Sequence, residues 1–301
     1  MSGKVYFGNA QKQTWIVSPQ SGMRASSAGY ISEQQLLTGS TSIKRSGASH
    51  RRFEASWLGS LNAPGLEDSL QTIKEFADGY YGEGPFFWND PYAMKSNMFS
   101  PAWASPAMSI DSDWYAVCPD DAGIGKSKVL TSSISSLVGN NTQGYPMYAA
   151  KYEAPGNPNA QSDRFTFYIP EGYSLWIGIH GHHGATGKAF IQSYKNGVAA
   201  TPAELTMLGV NTANRFSTSV SSSTANKVEF YIAKVAPSPC TFHIVGLMAQ
   251  LLPTGQTPAT GEFLSGRGTN GLEFGSFPTM EYYSANVNDG QIGMSATLVE
   301  V

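Results

Sequence analysis

Alternating apolar and polar positions predict β-strands along much of the chain. Near the start, two short β-type runs, Val5–Phe7 and Trp15–Val17, are separated by a polar stretch, a pattern that favours a hairpin. In the run Arg52–Trp57, the residues Phe53, Ala55 and Trp57 recur with a period of two and therefore share one face of a strand. The N-terminal part of the chain thus predicts a β-sheet with one buried face.

A helical pattern follows these strands. Leu66, Leu70, Ile73 and Ala77 recur at intervals of four, three and four residues, which predicts one apolar stripe on a helix from about Pro64 to Asp78. Glu67 and Asp68 favour its positive N-terminal end, and Gly79 can take the left-handed conformation that ends a helix. This is the one helix that the pattern predicts, and we expect it to cover one face of the sheet.

The stretch from Gly82 to Pro106, here called the aromatic elbow, is dense in aromatic residues and proline. It holds six aromatics, four prolines and two glycines. The prolines fix backbone φ angles, and the aromatic side chains need apolar surface to pack against. We expect this rigid segment to join two parts of the architecture, because the composition changes to Ser/Thr/Gly-rich β sequence beyond it.

The second half of the chain again alternates with a period of two. Apolar residues share one strand face at Phe165, Phe167 and Ile169, and again at Leu175, Ile177 and Ile179, and further β-type runs follow at 228–232 and 241–250. Strands separated by turns, with almost no helical period, favour a β-sandwich of the jelly-roll type.

The end of the chain predicts more strands, at 272–274, 280–284 and 293–301. A terminal strand needs a partner to stay ordered, so we expect this segment to return to the N-terminal sheet. The predicted fold is mainly β. We expect residues 1–107 with 265–301 to form a discontinuous domain with one helix, and residues 108–264 to form an inserted jelly roll.

Composition narrows the classes of function. Charged residues make up 14% of the 301 residues and the formal net charge is −3, which argues against nucleic-acid binding. The N-terminus lacks an apolar signal region, and the most apolar window, His243–Leu252, is shorter than the roughly 20 residues that span a bilayer. We therefore predict neither export by a signal peptide nor membrane insertion. Cys118 and Cys240 are interpreted as buried thiols.

The candidate metal ligands are His180, His182 and His183. A zinc site needs three or four ligands, and no Cys or carboxylate lies close in sequence to complete the set. The competing interpretation is a glycine-rich hairpin tip that carries exposed imidazoles, and it is favoured. The pattern provides no catalytic nucleophile, triad or carboxylate pair, so neither an enzyme nor a cofactor is predicted.

Two short motifs weakly suggest ligand sites, one a phosphate-binding loop and the other a calcium site. Gly125-Lys126-Ser127 copies the end of a phosphate-binding loop, but Asp120 stands where the first glycine belongs and no helical pattern follows. The turn at 119–123 offers carboxylate oxygens to calcium, although Asp side chains in such turns commonly bond to nearby backbone.

The elbow and its surroundings resemble the distal tail and minor tail proteins of long non-contractile-tailed phages, especially phages of actinobacteria. The resemblance is carried by Gly84, Pro85, Phe86, Phe87, Trp88, Asp90 and Pro91, followed by Asn97, Trp103 and Pro106. The strand at 53–57, the helix and the closing segment 293–301 also look like that family.

This resemblance implies a tail-tube-like β domain that packs into a ring, typically a hexamer, at the tail tip in the virion. The expected partners are other copies of the chain, the tail tube, the tape measure and tip proteins, and the protein would be made in the cytoplasm of the host bacterium. A galectin-like or carbohydrate-module-like sandwich would lie outside the ring. No catalytic residue is implied.

If the sandwich contacts a host-surface glycan, aromatic residues are the natural platform. Tyr145, Tyr173, Trp176 and Tyr194 are the candidates for stacking on sugar rings, although such residues often only pack against a sheet. The sequence therefore leaves two hypotheses: a structural adaptor of a phage tail tip, and a carbohydrate-binding adhesion module.

Overall fold

A computed structural model describes most of the chain: residues 3–20, 24–35, 41–104, 125–126, 150–154, 164–183, 187–209, 214–235, 240–259, 264–283 and 290–300. The fold is mainly β, as predicted, with several antiparallel sheets and a β-sandwich-like architecture. Two compact units are formed, one by residues 1–91 with 269–301 and the other by residues 92–268. None of the helices in these ranges is long and apolar enough to span a bilayer.

The elements are numbered in chain order. The N-terminal ones are β1 (Lys4–Gly8), β2 (Gln13–Val17), β3 (Arg24–Gln35), β4 (Thr41–Ser60), α1 (Leu66–Ala77), β5 (Phe86–Asn89), α2 (Pro91–Lys95) and α3 (Pro101–Ala104). The middle ones are β6 (Gly125–Lys126), β7 (Ala150–Ala154), β8 (Phe165–Tyr168), β9 (Tyr173–His183), β10 (Gly187–Lys195), β11 (Val198–Ala199), β12 (Ala203–Leu205), β13 (Met207–Leu208), β14 (Thr218–Ser221), β15 (Lys227–Lys234) and β16 (Cys240–Pro253). The last are β17 (Thr269–Tyr282) and β18 (Gln291–Glu300).

The first unit is one antiparallel sheet covered by α1. The strand order is β2-β1-β5-β17-β18-β4-β3, and α1 packs against β17 and β2. The core lies between helix and sheet, where α1 contributes Leu66, Leu70, Ile73 and Phe76, and β4 contributes Phe53, Ala55 and Trp57. The period of two in β4 and the helical stripe were thus predicted correctly, except that Phe76 is buried and Ala77 is only half-buried.

The second unit is inserted between two neighbouring strands of this sheet. The strand β5 ends at Asn89 and β17 begins at Thr269, yet Trp88 lies directly opposite Thr269 in the ladder. The hydroxyl of Thr269 also donates a hydrogen bond to the carbonyl oxygen of Trp88 at 2.6 Å. The chain therefore leaves the sheet and returns to it at the same place.

A long hairpin extends from the edge of the sheet. The strand β18 pairs with β4 only from Arg52 to Ser60, whereas β3 pairs with β4 as far as Gln35 opposite Thr41. Residues 28–35 and 41–50 therefore form a two-stranded extension, here called the hairpin arm. The sequence pattern missed it, because the alternation of apolar residues that marked the other strands does not reach this Ser/Gly-rich stretch.

The second unit is a jelly roll. One sheet contains β12-β10-β15-β8, with β11 also paired to β10, and the other contains β14-β9-β16-β7-β6, with β13 paired in parallel to β9. From β7 to β10, and again from β14 to β16, consecutive strands alternate between the two sheets. This alternation and the order within each sheet are those of a jelly roll built from two Greek keys.

The boundaries between the units differ from the predicted 107 and 265, because the elbow is divided between them. Asn97 is fully buried and its side chain bonds to backbone of β16, so the chain from Tyr92 onward packs with the jelly roll. The elbow also contains two short helices, α2 and α3, that the pattern did not predict. Each begins at a proline, which suits the first position of a helix.

Candidate functional site

The outer face of the sheet β12-β10-β15-β8 carries a group of polar and aromatic side chains. Strand alternation turns Val228 and Phe230 inward and leaves Glu229 and Tyr231 on the opposite side. Their cross-strand partners share this outer side. We call this surface the Glu229 face, and it consists of Arg164, Tyr168, Phe190, Gln192, Tyr194, Lys227, Glu229 and Tyr231.

Glu229 is the centre of the polar network on this face. Its side chain accepts hydrogen bonds from Arg164 Nη1 at 2.7 Å and from the Tyr194 hydroxyl at 2.8 Å, and Lys227 Nζ lies 2.6 Å from its other oxygen. Burial acts to raise the pKa of Glu229, which is only 8% exposed, but the hydrogen bonds from Lys227, Arg164 and Tyr194 outweigh it and the pKa is lowered. Glu229 is therefore an anion held in place by two cations.

The cations also contact aromatic rings. The guanidinium of Arg164 lies 4.7 Å from the ring centre of Tyr231, and the Lys227 ammonium lies 4.5 Å from that of Tyr194. Phe190 stacks on Tyr231 with ring centres 5.6 Å apart. These cation–π and stacking contacts fix the side chains in one arrangement. The result is a preformed surface on which Tyr231 is buried while the rings of Phe190 and Tyr194 are partly exposed beside hydrogen-bonding groups, a combination that suits a polyhydroxylated ligand.

Of the four residues predicted to stack on sugars, only Tyr194 belongs to this face. Tyr145 lies outside the described residues, and Tyr173 and Trp176 lie on β9 in the other sheet. The indole of Trp176 packs against Phe216 with ring centres 6.2 Å apart, and its nitrogen is buried. The three described candidates therefore do not share one surface, because Tyr194 lies in one sheet and Tyr173 and Trp176 lie in the other.

The three histidines of β9 differ in their burial. His180 is fully buried in β9, His182 is exposed, and no group of three His, Cys, Asp or Glu suited to a metal is found within the described ranges. Burial lowers the pKa of His180 to about 4, so it is neutral at physiological pH. The predicted tip with exposed imidazoles is thus wrong for His180, while 184–186 lie outside the described residues.

Of the two motifs that weakly suggested ligand sites, the structure describes only part of the one at 125–127. Gly125 and Lys126 pair with β7 as a short strand, which is incompatible with a phosphate-binding loop. The turn proposed for calcium, 119–123, and Cys118 lie outside the described residues, and Cys240 is buried, as predicted.

The elbow residues fill several different places. Phe86 and Trp88 belong to the core under α1, whereas Phe87 lies on the other side of the sheet against Tyr6, with ring centres 5.3 Å apart. Trp103, in α3, packs against Phe165 of the jelly roll at 4.1 Å. Gly84 and Pro85 are joined by a cis peptide, Asp90 and Pro91 follow β5, and Pro106 lies outside the described residues. The described members of this group are thus largely structural.

Comparisons with known proteins provide no family. No protein-family model matches the chain, and no curated protein matches it. Among solved structures, the chain is similar to infectious bursal disease virus, Gx strain, at 10% identity over 99% of this chain and 79% of that chain, with a TM-score of 0.19. A TM-score this low supports no argument about fold or function.

Proposed function

We propose that the chain is a structural component of a phage tail tip, a distal tail ring protein that adapts the tail tube to the host-binding tip. The observation that carries this proposal is the architecture of the first unit: an open sheet with a long hairpin arm at its edge and a complete jelly roll inserted between two neighbouring strands. Such an arrangement suits a repeated assembly unit that carries a second module.

The open edge supports self-assembly. Within the described ranges, the 12-residue strand β3 pairs with β4 and leaves its other edge open. An open strand edge presents backbone N–H and C=O groups that pair readily with another chain. Repeated contacts between this edge and a different surface of the next copy close into a ring when the rotation permits. By the resemblance described above, the ring is a hexamer, located at the tail tip beside the tail tube, tape measure and tip proteins.

The test is the mass of the purified protein by light scattering, with negative-stain images of the same sample. A matched variant removes residues 28–50 and joins Ser27 to Arg51 through Asn-Gly, because these two residues lie opposite each other and Asn-Gly forms two-residue hairpin turns. We expect rings from the natural chain and folded monomers from the variant. A natural chain that stays monomeric at every accessible concentration contradicts the proposed ring.

The Glu229 face favours a second candidate function, carbohydrate binding at the host surface. Binding is measured on an array of bacterial cell-surface glycans and then by calorimetry on any glycan retained. Replacing Tyr194 by Ala removes one ring of the face, and we expect roughly tenfold weaker binding. Trp176→Phe in the other sheet is the matched control. Equal losses in the two variants would exclude the Glu229 face as the binding surface.

A further inference from the structure

The charged groups of the Glu229 face differ in their exposure to solvent. The side chains of Arg164 and Lys227 are 38% and 32% exposed, whereas that of Glu229 is 11% exposed. Two cations and one carboxylate give the Glu229 face a net charge of +1, although the whole chain carries −3. The neighbouring ion pair of Lys188 with Glu204 adds no net charge. A ligand on this face therefore meets the two cations, while their counter-ion is largely hidden.

The hydrogen-bond acceptors of the face are engaged within the protein. The oxygens of Glu229 accept from both cations and from Tyr194. The side-chain oxygen of Gln192 accepts from Arg164 Nη1 at 3.1 Å, and its nitrogen donates to a backbone carbonyl oxygen at 3.3 Å. Guanidinium and ammonium groups carry donors only. The polar groups left for a ligand are thus mainly donors.

A surface of this kind suits a ligand that carries an oxyanion. Carboxylate and phosphate oxygens are acceptors, and their hydrogen bonds with cations are roughly twice as strong as bonds between neutral groups. The planar fork of an arginine also matches the geometry of these anions. The hydroxyl groups of a neutral sugar both donate and accept, and their donors would find few acceptors on the Glu229 face.

Two partly exposed rings lie beside the cations along β10. Tyr194 is opposite Lys227 in the ladder, and Phe190 is opposite the buried Tyr231. Phe190 and Tyr194 are four residues apart on one strand, a distance of roughly 13 Å at about 3.3 Å per residue. A ligand that stacks on both rings is therefore a chain of sugars rather than a single sugar.

We propose that the Glu229 face binds an acidic glycan, an oligosaccharide that carries a carboxylate or phosphate group. The anionic group contacts Arg164 and Lys227, and the adjoining sugar rings stack on Phe190 and Tyr194. Glu229 is a positioning residue that holds the two cations in place. This inference rests on the second candidate function, carbohydrate binding, and deepens it by naming the charge of the ligand.

The test compares each glycan with its own neutral form. Bacterial cell-surface polysaccharides are printed on an array twice, once unchanged and once after reduction of their hexuronate carboxyl groups to alcohols or removal of their phosphate substituents. We expect the full chain to retain acidic glycans and to bind the neutral forms at least roughly tenfold more weakly. The two treatments distinguish a carboxylate from a phosphate. Polyglutamate, which carries carboxylates without sugar rings, should bind more weakly than the retained glycans.

Variants then assign the effect to the Glu229 face. Lys227→Gln should weaken binding of a retained acidic glycan roughly tenfold in calorimetry. Lys227→Arg keeps the charge and should retain most of the affinity. Lys4→Gln, at an exposed position of the first unit, is the matched control for the lost charge. Melting curves show whether each variant is folded, and the comparison of acidic with neutral glycans on the natural chain depends on no variant.

The outcomes separate this inference from the function on which it rests. If the neutral forms bind as tightly as the acidic ones, or if folded Lys227→Gln binds like Lys4→Gln, the acidic ligand is refuted while carbohydrate binding stands. If polyglutamate binds as tightly as the retained glycans, charge alone explains the binding and the inference fails. If no glycan is retained in either form, carbohydrate binding and this inference fail together.

Discussion

Replacing Asn97 by Ala should destabilise the jelly roll by a large and calculable amount. The side chain is fully buried and makes four hydrogen bonds to backbone. Its amide group donates to the carbonyl oxygens of Leu247 and Leu264 at 2.9 and 3.1 Å. Its oxygen accepts from the backbone N–H groups of Phe99 and Ala249 at 3.2 and 3.1 Å. One side chain therefore ties the elbow to β16 and to the segment after it.

The size of the effect follows from what alanine leaves behind. Three of the four bonds are buried, and the one to Leu264 is only partly buried, so water can replace the last but not the others. A buried backbone group that loses its partner costs about 1–3 kcal/mol, which gives a loss of about 4 kcal/mol for this substitution. Domain stabilities are about 5–15 kcal/mol, so the variant should remain folded but close to its limit.

Hydrogen exchange measured by mass spectrometry tests this in the full chain, because peptides from the two units are observed separately. A loss of about 4 kcal/mol corresponds to roughly thousandfold faster exchange of the most protected amides of Cys240–Pro253. Asn62→Ala, at an exposed turn of the first unit, is the control. An acceleration of less than about tenfold in Asn97→Ala would show that the four bonds do not hold this unit together.

Three further predictions concern the two units. Deletion of residues 272–301 removes nearly all of β17 and the whole of β18, which lie between β5 and β4 in the sheet. The first unit should therefore unfold. Amides of Lys4–Gly8 that remain protected in hydrogen exchange would contradict this. The pKa of His180 is about 4 in the folded chain and 6.5 in the unfolded chain, so the unfolded chain binds a proton first as the pH falls below 6.5. By pH 4 this difference should lower the free energy of unfolding of the jelly roll by about 3 kcal/mol. His180→Gln should remove that pH dependence from urea unfolding curves and His182→Gln should not, and equal slopes in all three proteins would refute the assignment. A Cβ at Gly178 would overlap the carbonyl oxygen of Arg215, so Gly178→Ala should lower the free energy of unfolding by about 2 kcal/mol. An unchanged melting temperature would show that segment 214–216 shifts to make room for the methyl group at no cost.

The elements that the sequence predicted well are those with a strong local period. Leu175, Ile177 and Ile179 are buried on one side of β9, and Leu66, Leu70 and Ile73 are buried on one side of α1. Such patterns depend only on residues a few positions apart, since strand and helix geometry place them on one face. For the same reason, the alternation in β4 predicted the buried face of that strand correctly, but only at residues 52–60, where β4 pairs with β18.

The Glu229 face could not be predicted in this way. Arg164 and Glu229 are 65 positions apart, and Tyr194 and Glu229 are 35 apart. Their contact depends on the register of β10, β15 and β8, which no local pattern specifies. A signal was nevertheless present in Lys227, Glu229 and Tyr231, which alternate with the buried Val228 and Phe230 and so define an outer side of unusual polarity and aromatic content.

The insertion also determines how the first sheet can form. Thr269 must pair with Trp88 across a separation of 181 residues, so closing the seven-stranded sheet around an unfolded insertion costs the entropy of a long loop. Contacts this distant in sequence form slowly unless something brings the ends together. Inside the jelly roll, the backbone N–H of Arg267 donates to the carbonyl oxygen of Asn97 at 2.8 Å. A folded jelly roll therefore holds its own two ends side by side, which places β17 within reach of β5. Asn97 thus links the stability of the inserted unit to completion of the sheet that carries it.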